Sequence, residues 1–180
     1  MEFINIIQFI TVVVLTTTLL IAILQVRLLR KEVRDDHEWR RREKSVGFSQ
    51  INSPHLRDVK HRINKQFGYI QARENPLSSQ EINEACEQDG SLREDINFLL
   101  SYLENIGLCC KHNIANFIVV YDLMANTYLK YYYLFQPLIK KSQSRNPRLW
   151  SNIEWMREEI EKERRKRSEE ETVMPKTGDL

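Results

Sequence analysis

Hydrophobic and polar positions divide this chain into two unlike parts. From Phe3 through Val14 to Val26 run 24 consecutive uncharged residues, mostly Ile, Leu, Val, Phe and Thr. About 20 apolar residues at helical rise cross a hydrocarbon core of about 30 Å, and a helix closes its backbone hydrogen bonds internally while doing so. The run shows no amphipathic face, so it predicts a transmembrane anchor (1–26) rather than the core helix of a soluble domain. Beyond it, Val26, Leu29 and Val33 keep helical spacing and then stop, too briefly for a coiled coil. Residues 27–52 therefore read as a charged juxtamembrane stem and linker. Asp36 with Arg40 and Glu38 with Arg42 are acid-before-base pairs that support the stem helix. Gly47 to Ser53 is expected to interrupt it.

A helical period returns at Ser53, a predicted N-cap with Pro54 in the first turn. Leu56, Val59, Ile63 and Phe67 mark one face of a helix over 54–67, and Gly68 to Leu77, with Asn75-Pro76, reads as a loop. Ser78 with Glu81 and Ser91 with Glu94 both fit a capping box. The first opens a short helix, 79–88, ending near Gly90. The second opens a longer one, 92–111, whose buried face is Ile96, Leu99, Leu100, Leu103, Ile106 and Cys110. The next, 115–142, shows Phe117, Tyr121, Met124, Tyr128, Tyr131 or Tyr132, and Phe135. A connection as short as Lys111 to Ile114 makes these two antiparallel neighbours. Pro137 is expected to kink the second of them or end a segment there. Asn146-Pro147 predicts the start of the last helix, with Leu149, Trp150, Ile153, Trp155, Met156 and Ile160 on its apolar side. Glu158 with Lys162 and Glu161 with Arg165 are pairs that extend it. The pattern gives an all-α fold, an anchor followed by a bundle of four to five helices over 53–166, with a disordered tail over 167–180.

Composition sharpens this picture. Gly 5 and Pro 5 are low counts and charged residues make up 29%, which favours helices. A net charge of +2 argues against nucleic acid as a partner. The residues ahead of the apolar run carry Glu2 and no Lys or Arg, and no small-residue cleavage site follows it, so a cleaved signal is disfavoured. Arg27, Arg30, Lys31, Arg34, Arg40, Arg41, Arg42 and Lys44 follow the span. Basic residues close to a membrane end stay cytoplasmic, which predicts a single-pass protein with its N-terminus outside and its C-terminal domain in the cytoplasm. Five acids are mixed into the same stretch, so the stem reads as a solvated segment held at the lipid surface by its basic residues and Trp39 rather than as a dedicated anionic-lipid site.

Candidate chemistry is sparse. The sequence holds no phosphate loop, dinucleotide fingerprint, nucleophile elbow or His-rich zinc motif. His37, His55, His61 and His112 are scattered, and Cys86, Cys109 and Cys110 read as small buried hydrophobes in a reducing compartment. Neither a metal, a cofactor nor an enzymatic activity is expected. Tyr131, Tyr132 and Tyr133 span too much of a helix to share one core: one or two rings are expected to pack in it, and at least one is exposed or meets a partner. With Arg148, Trp150 and Trp155 they form the candidate interaction surface. Asn97, Glu104, Asn105 and Asp122 read as a polar network fixing helix register. In the anchor, Thr18 and Ala22 form a small-xxx-small pair, a candidate contact for association in lipid. With no ionisable residue inside the span, an ion pathway is not expected.

Five segments carry a family resemblance: Asn97-Phe98 with Tyr102-Leu103-Glu104-Asn105-Ile106-Gly107; Val120-Tyr121-Asp122; Pro137-Leu138-Ile139; Asn146-Pro147-Arg148-Leu149-Trp150; and Asn152-Ile153-Glu154-Trp155. In their order they resemble an uncharacterised bacterial family of small single-pass membrane proteins, a domain of unknown function numbered four-seven-six-zero. The resemblance implies one N-terminal membrane helix followed by a cytosolic helical domain, in a bacterial inner membrane. It implies no activity and no catalytic residues.

The sequence thus points to a membrane-anchored helical adaptor of the lipid bilayer, non-enzymatic, that binds a protein partner or itself. The alternative is an oligomerising membrane effector, for example in a bacterial anti-phage response.

Overall fold

A computed structural model describes residues 2–49, 53–68 and 75–173 of the 180. The described residues form helices only: α1 (Glu2–Ser49), α2 (Pro54–Phe67), α3 (Ser79–Gln88), α4 (Gly90–Lys111), α5 (Phe117–Arg145) and α6 (Ser151–Val173). The chain divides into two compact units, Met1–Arg40 and Arg41–Leu180.

The first unit is helix throughout its described length. Its described large apolar side chains are exposed, Phe9 at 71% and Leu28 at 67%. Threonine hydroxyls are satisfied within the helix: Thr17 Oγ1 donates to Val13 O (2.7 Å) and Thr18 Oγ1 to Val14 O (2.8 Å). Back-bonding of this kind lets hydroxyls sit in an apolar surround without an outside partner. Asp36 and Arg40 form the expected pair at 2.9 Å.

The second unit begins with the last turns of α1. The helix runs through Gly47 and ends at Ser49, so within the stretch Gly47 to Ser53, where the sequence predicts an interruption, the glycine itself does not break it; residues 50–52 lie outside the described residues. Contacts on both sides of that glycine explain this. Ser45 is fully buried; its hydroxyl donates to Arg41 O (2.7 Å) and accepts from Asn116 N (2.7 Å). Phe48 is buried, and its carbonyl accepts from the Tyr102 hydroxyl. Tertiary contacts outweigh the weak helix preference of one glycine, about 1 kcal/mol.

Local signals open the next helices. Ser53 Oγ accepts from Leu56 N (3.4 Å), with Pro54 at the start of α2. Gly68, at φ 80°, ends that helix in a conformation that side chains with a Cβ resist. Of the loop expected over 68–77, residues 69–74 lie outside the described residues. The capping box of Ser78 and Glu81 forms, with Glu81 N donating to Ser78 Oγ (3.1 Å) and Ser78 N to Glu81 Oε2 (2.8 Å). The one expected at Ser91 and Glu94 does not. Instead Asp89 both ends α3, through Asp89 N to Ala85 O (2.9 Å), and caps α4, accepting from Ser91 N (3.0 Å) and Ser91 Oγ (2.7 Å). A carboxylate one residue before the helix captures the first free N–H groups before Ser91 has a role to fill.

Helix α4 is central. It packs most closely on α6 and then on α2 and α3. Leu99, Leu100, Leu103 and Ile106 are buried with Val59 and Ile63 of α2, Tyr128, Tyr132 and Phe135 of α5, and Ile153, Met156 and Ile160 of α6. The short connection between α4 and α5 does not make them the closest pair. Large aromatic side chains fill the space between them, with the Tyr128 hydroxyl donating to Leu103 O (3.1 Å). Helix α5 continues through Pro137 to Arg145. Proline leaves an earlier carbonyl without its helical donor and opens the turn before it. In that turn Leu134 O accepts from Leu77 N (3.0 Å), tying the loop before α3 to α5.

Asn146-Pro147 does not start the last helix. It forms a turn, in which Leu149 N donates to Asn146 O (3.0 Å) and Arg148 N to Asn146 Oδ1 (3.2 Å). Trp150 then takes a left-handed conformation (φ 60°), and α6 begins at Ser151. The helix extends to Val173, past residue 167 where disorder is expected; residues 174–180 lie outside the described residues. Glu159–Lys162 (2.6 Å), Arg157–Glu161 (2.7 Å) and Glu163–Arg167 (2.8 Å) line it, in place of the two expected pairs. Each adds a few tenths of a kcal/mol, and together they carry the helix beyond its last buried residue, Ile160.

Candidate functional site

The anchor comes first. Helix α1 contains Phe3, Val14 and Val26, and is long and apolar enough to cross a membrane. Val14 and Val26 are exposed; the side chain of Phe3 lies outside the described residues. Thr18 and Ala22 lie one turn apart and exposed, although the Thr18 hydroxyl is already bonded to its own helix.

The bundle separates the residues of the expected interaction surface. Tyr131 and Tyr132 are core residues, 6% and 1% exposed, whereas Tyr133 is 42% exposed. Trp150 and Trp155 are half-buried against the core, and Arg148 is exposed in the turn before α6. Tyr132 and Tyr133 meet the acidic side of α6. Tyr132 Oη donates to Glu154 Oε1 (2.9 Å), Tyr133 Oη donates to Glu161, and Arg157 lies over the Tyr132 ring at 5.6 Å. Lys140 Nζ reaches the same Glu154 oxygen (2.7 Å). Burial pushes the Glu154 carboxyl up, but hydrogen bonds from Lys140 and Tyr132 outweigh it and hold the group below its ordinary 4.5.

Burial lifts the Tyr131 and Tyr132 phenols from their ordinary 10.0 to about 12, with the Glu154 bond adding to the rise at Tyr132, and lifts Tyr128 well above 10.0. Above about pH 10 the unfolded chain loses these protons first, so it binds fewer than the folded chain and stability falls as pH rises. Below pH 10 this contribution is fully present. With tyrosinate absorbance and helicity titrated together, the exposed tyrosines are expected to ionise first and the buried ones above about pH 10 only as helicity is lost. Ionisation of more than the exposed tyrosines while the helices stay intact would contradict the packing described here.

The polar residues singled out in the sequence do not form one network. Asp122 is exposed and pairs with Arg167 (2.7 Å), whose guanidinium also covers the Tyr121 ring at 4.4 Å. Asn97 lies on the exposed surface, as does Asn105, which accepts a long contact from Cys109 Sγ (3.7 Å). Glu104 has the most specific role. Its Oε1 accepts from Asn152 N (3.3 Å) and Asn152 Nδ2 (2.7 Å), and its Oε2 from Ile153 N (2.9 Å). A carboxylate from α4 thereby caps the start of α6, where Trp150 offers no side-chain acceptor. Gly107, one turn on, makes room for that start: a Cβ there would stand 2.3 Å from Asn152 O.

Sequence reasoning missed this cap, and also the forked bond from Arg62 to the buried Asp95, at 2.6 and 2.7 Å. A glycine inside an apolar helical face was the available signal for the first. Among the described residues no group of three or more His, Cys, Asp or Glu is placed to hold a metal ion. The three cysteines are free and buried, and burial, reinforced by Cys109, pushes the Cys110 thiol up to about 12. A thiol so raised is a poor nucleophile at neutral pH.

The profile of a family described as a domain of unknown function, DUF4760, matches residues 12–160. The chain belongs to this family. In this DUF4760 member the matched region starts inside the apolar helix and ends at Ile160, the last fully buried residue of α6. Two of the segments that carry the resemblance, Tyr102 to Gly107 and Asn152 to Trp155, meet at the capped junction of α4 and α6. No curated protein and no solved structure matches the chain.

Proposed function

We propose that this DUF4760 member is a membrane-anchored helical interaction protein without enzymatic activity, held in a bacterial plasma membrane by α1 with its N-terminus outside and its bundle in the cytoplasm. One observation carries the reading: the apolar side chains of α1 from Val13 to Val33 form a continuous exposed apolar run. Contiguous apolar surface on this scale is far beyond what a soluble monomer leaves in water. The basic residues from Arg27 to Lys44 support the orientation. The bundle contributes an α5–α6 face whose aromatic and charged groups are fixed by mutual contacts, a preorganised surface for a protein partner or a second copy.

The test is fractionation and mass measurement of the full chain from its native membranes. It is expected to resist alkaline extraction and to leave mild detergent as a complex, either with a stoichiometric second protein or as a homo-oligomer. Release by alkali would overturn the anchor. A lone chain of 21.5 kDa with nothing bound would overturn the interaction role. A homo-oligomer would select the self-assembling effector over the adaptor, to be followed by membrane-potential measurements.

A further inference from the structure

Charges on the stem are segregated by face. Helix α1 is continuous across the stem, and about 100° separates successive side chains. Arg27, Arg30, Lys31 and Arg34, spaced i, i+3, i+4 and i+7, therefore share an arc of about 100°. The acids Glu32, Asp35 and Asp36 gather in a second arc centred about 140° away. Glu38 returns to the basic side, but a full turn beyond Arg34. The separation reaches the ion pairs: Asp36 is bonded to Arg40, while Arg27, Arg30, Lys31 and Arg34 are exposed and have no ion-pair partner among the described residues. The acids interspersed with the basic residues along the sequence thus lie mostly on another side of the helix.

We infer that this basic face binds the phosphates of anionic phospholipids in the leaflet at the C-terminal end of the span. The inference rests on the membrane-anchor reading above. Three features fit that occupant. Arg27, Arg30 and Lys31 follow Val26 within about 8 Å of helix rise, against a headgroup layer about 5–7 Å deep on each side. Cα–Cβ bonds in a helix tilt toward its N-terminus, so these side chains lean back toward the apolar run, and Arg34 reaches the layer by its length. Guanidinium groups present paired donors that match phosphate oxygens, and here they are not already occupied by carboxylates.

The full chain, reconstituted in lipid nanodiscs of phosphatidylcholine with and without phosphatidylglycerol, would be released into native mass spectrometry and its retained lipids identified. Wild type is expected to retain the anionic lipid over the zwitterionic one by about tenfold or more, since each basic residue near the surface adds a severalfold factor. The variant R27Q/R30Q/K31Q/R34Q is expected to lose this preference, whereas E32Q/D35N/D36N keeps it within about twofold. Absence of a headgroup preference in wild type overturns the inference and leaves the anchor standing. So does a preference that survives in the four-residue variant, or one that rises in the acid-face variant as much as it falls in the basic-face one. A chain that does not enter the nanodiscs overturns both readings.

Discussion

Gly107→Ala is expected to destabilise the protein by about 1–3 kcal/mol, the usual cost of forcing one extra carbon into a packed contact. The new Cβ would stand 2.3 Å from Asn152 O and 2.8 Å from Asn152 C, both backbone atoms. No rotamer change relieves such a clash. The first turn of α6 has to retreat from α4, and with it the Glu104 bonds to Asn152 and Ile153 lengthen. Gly47→Ala is the matched control, because nothing lies within 4 Å of a Cβ there. In the last turn of α1 that change is expected to be neutral or to stabilise by up to about 1 kcal/mol. Urea unfolding of both variants in the same detergent, followed by circular dichroism, decides the matter. Equal midpoints for Gly107→Ala and wild type would mean that α4 and α6 do not approach as described.

Two charges placed in the middle of the span, Leu15→Arg with Leu19→Arg, are expected to remove the chain from the membrane. Each arginine near a helix centre costs about 2.5–3.5 kcal/mol of insertion, so the pair opposes it by about 5–7 kcal/mol. Both leucines are exposed on α1, at 63% and 62%, so the change disturbs no packing within the chain. Leu28→Arg, equally exposed but past the uncharged run, is expected to leave insertion intact. The measurement is the fraction of protein resisting alkaline extraction. Retention of the double variant at the wild-type level would argue against α1 as a spanning helix.

What was legible in the sequence follows the range of the forces involved. Helix existence could be read wherever apolar residues recur at helical period, and α2, α3 and most of the α4 face stand where the pattern puts them. A cap contained within four residues, Ser78 with Glu81, was equally readable. Misreadings fall where two local signals compete or a distant residue decides. Asp89 and Ser91 both suit a helix start, and the earlier acceptor takes the free N–H groups. Asn146-Pro147 has the look of a cap and first turn but closes a turn, because the cap of α6 is Glu104, 48 residues before the Asn152 it caps. Gly47 has the look of a break, but Ser45 and Phe48 are held by residues far along the sequence. The tyrosine run shows the same limit: its helical angles require one ring to face outward, yet only the packed structure identifies it as Tyr133.

The borrowed cap at Glu104 bears on the order in which the protein assembles. A helix that caps itself can nucleate alone, whereas α6 enters through a left-handed tryptophan and has its first free N–H groups answered by another helix. An isolated peptide of residues 151–173 would lack that answer, and its many charges give it little apolar surface with which to compensate. During synthesis α4 leaves the ribosome well before α6, so the acceptor is waiting when the donor arrives. The first turn of α6 is therefore completed only where it meets α4, and closing that junction joins the two helices that pack most extensively on each other.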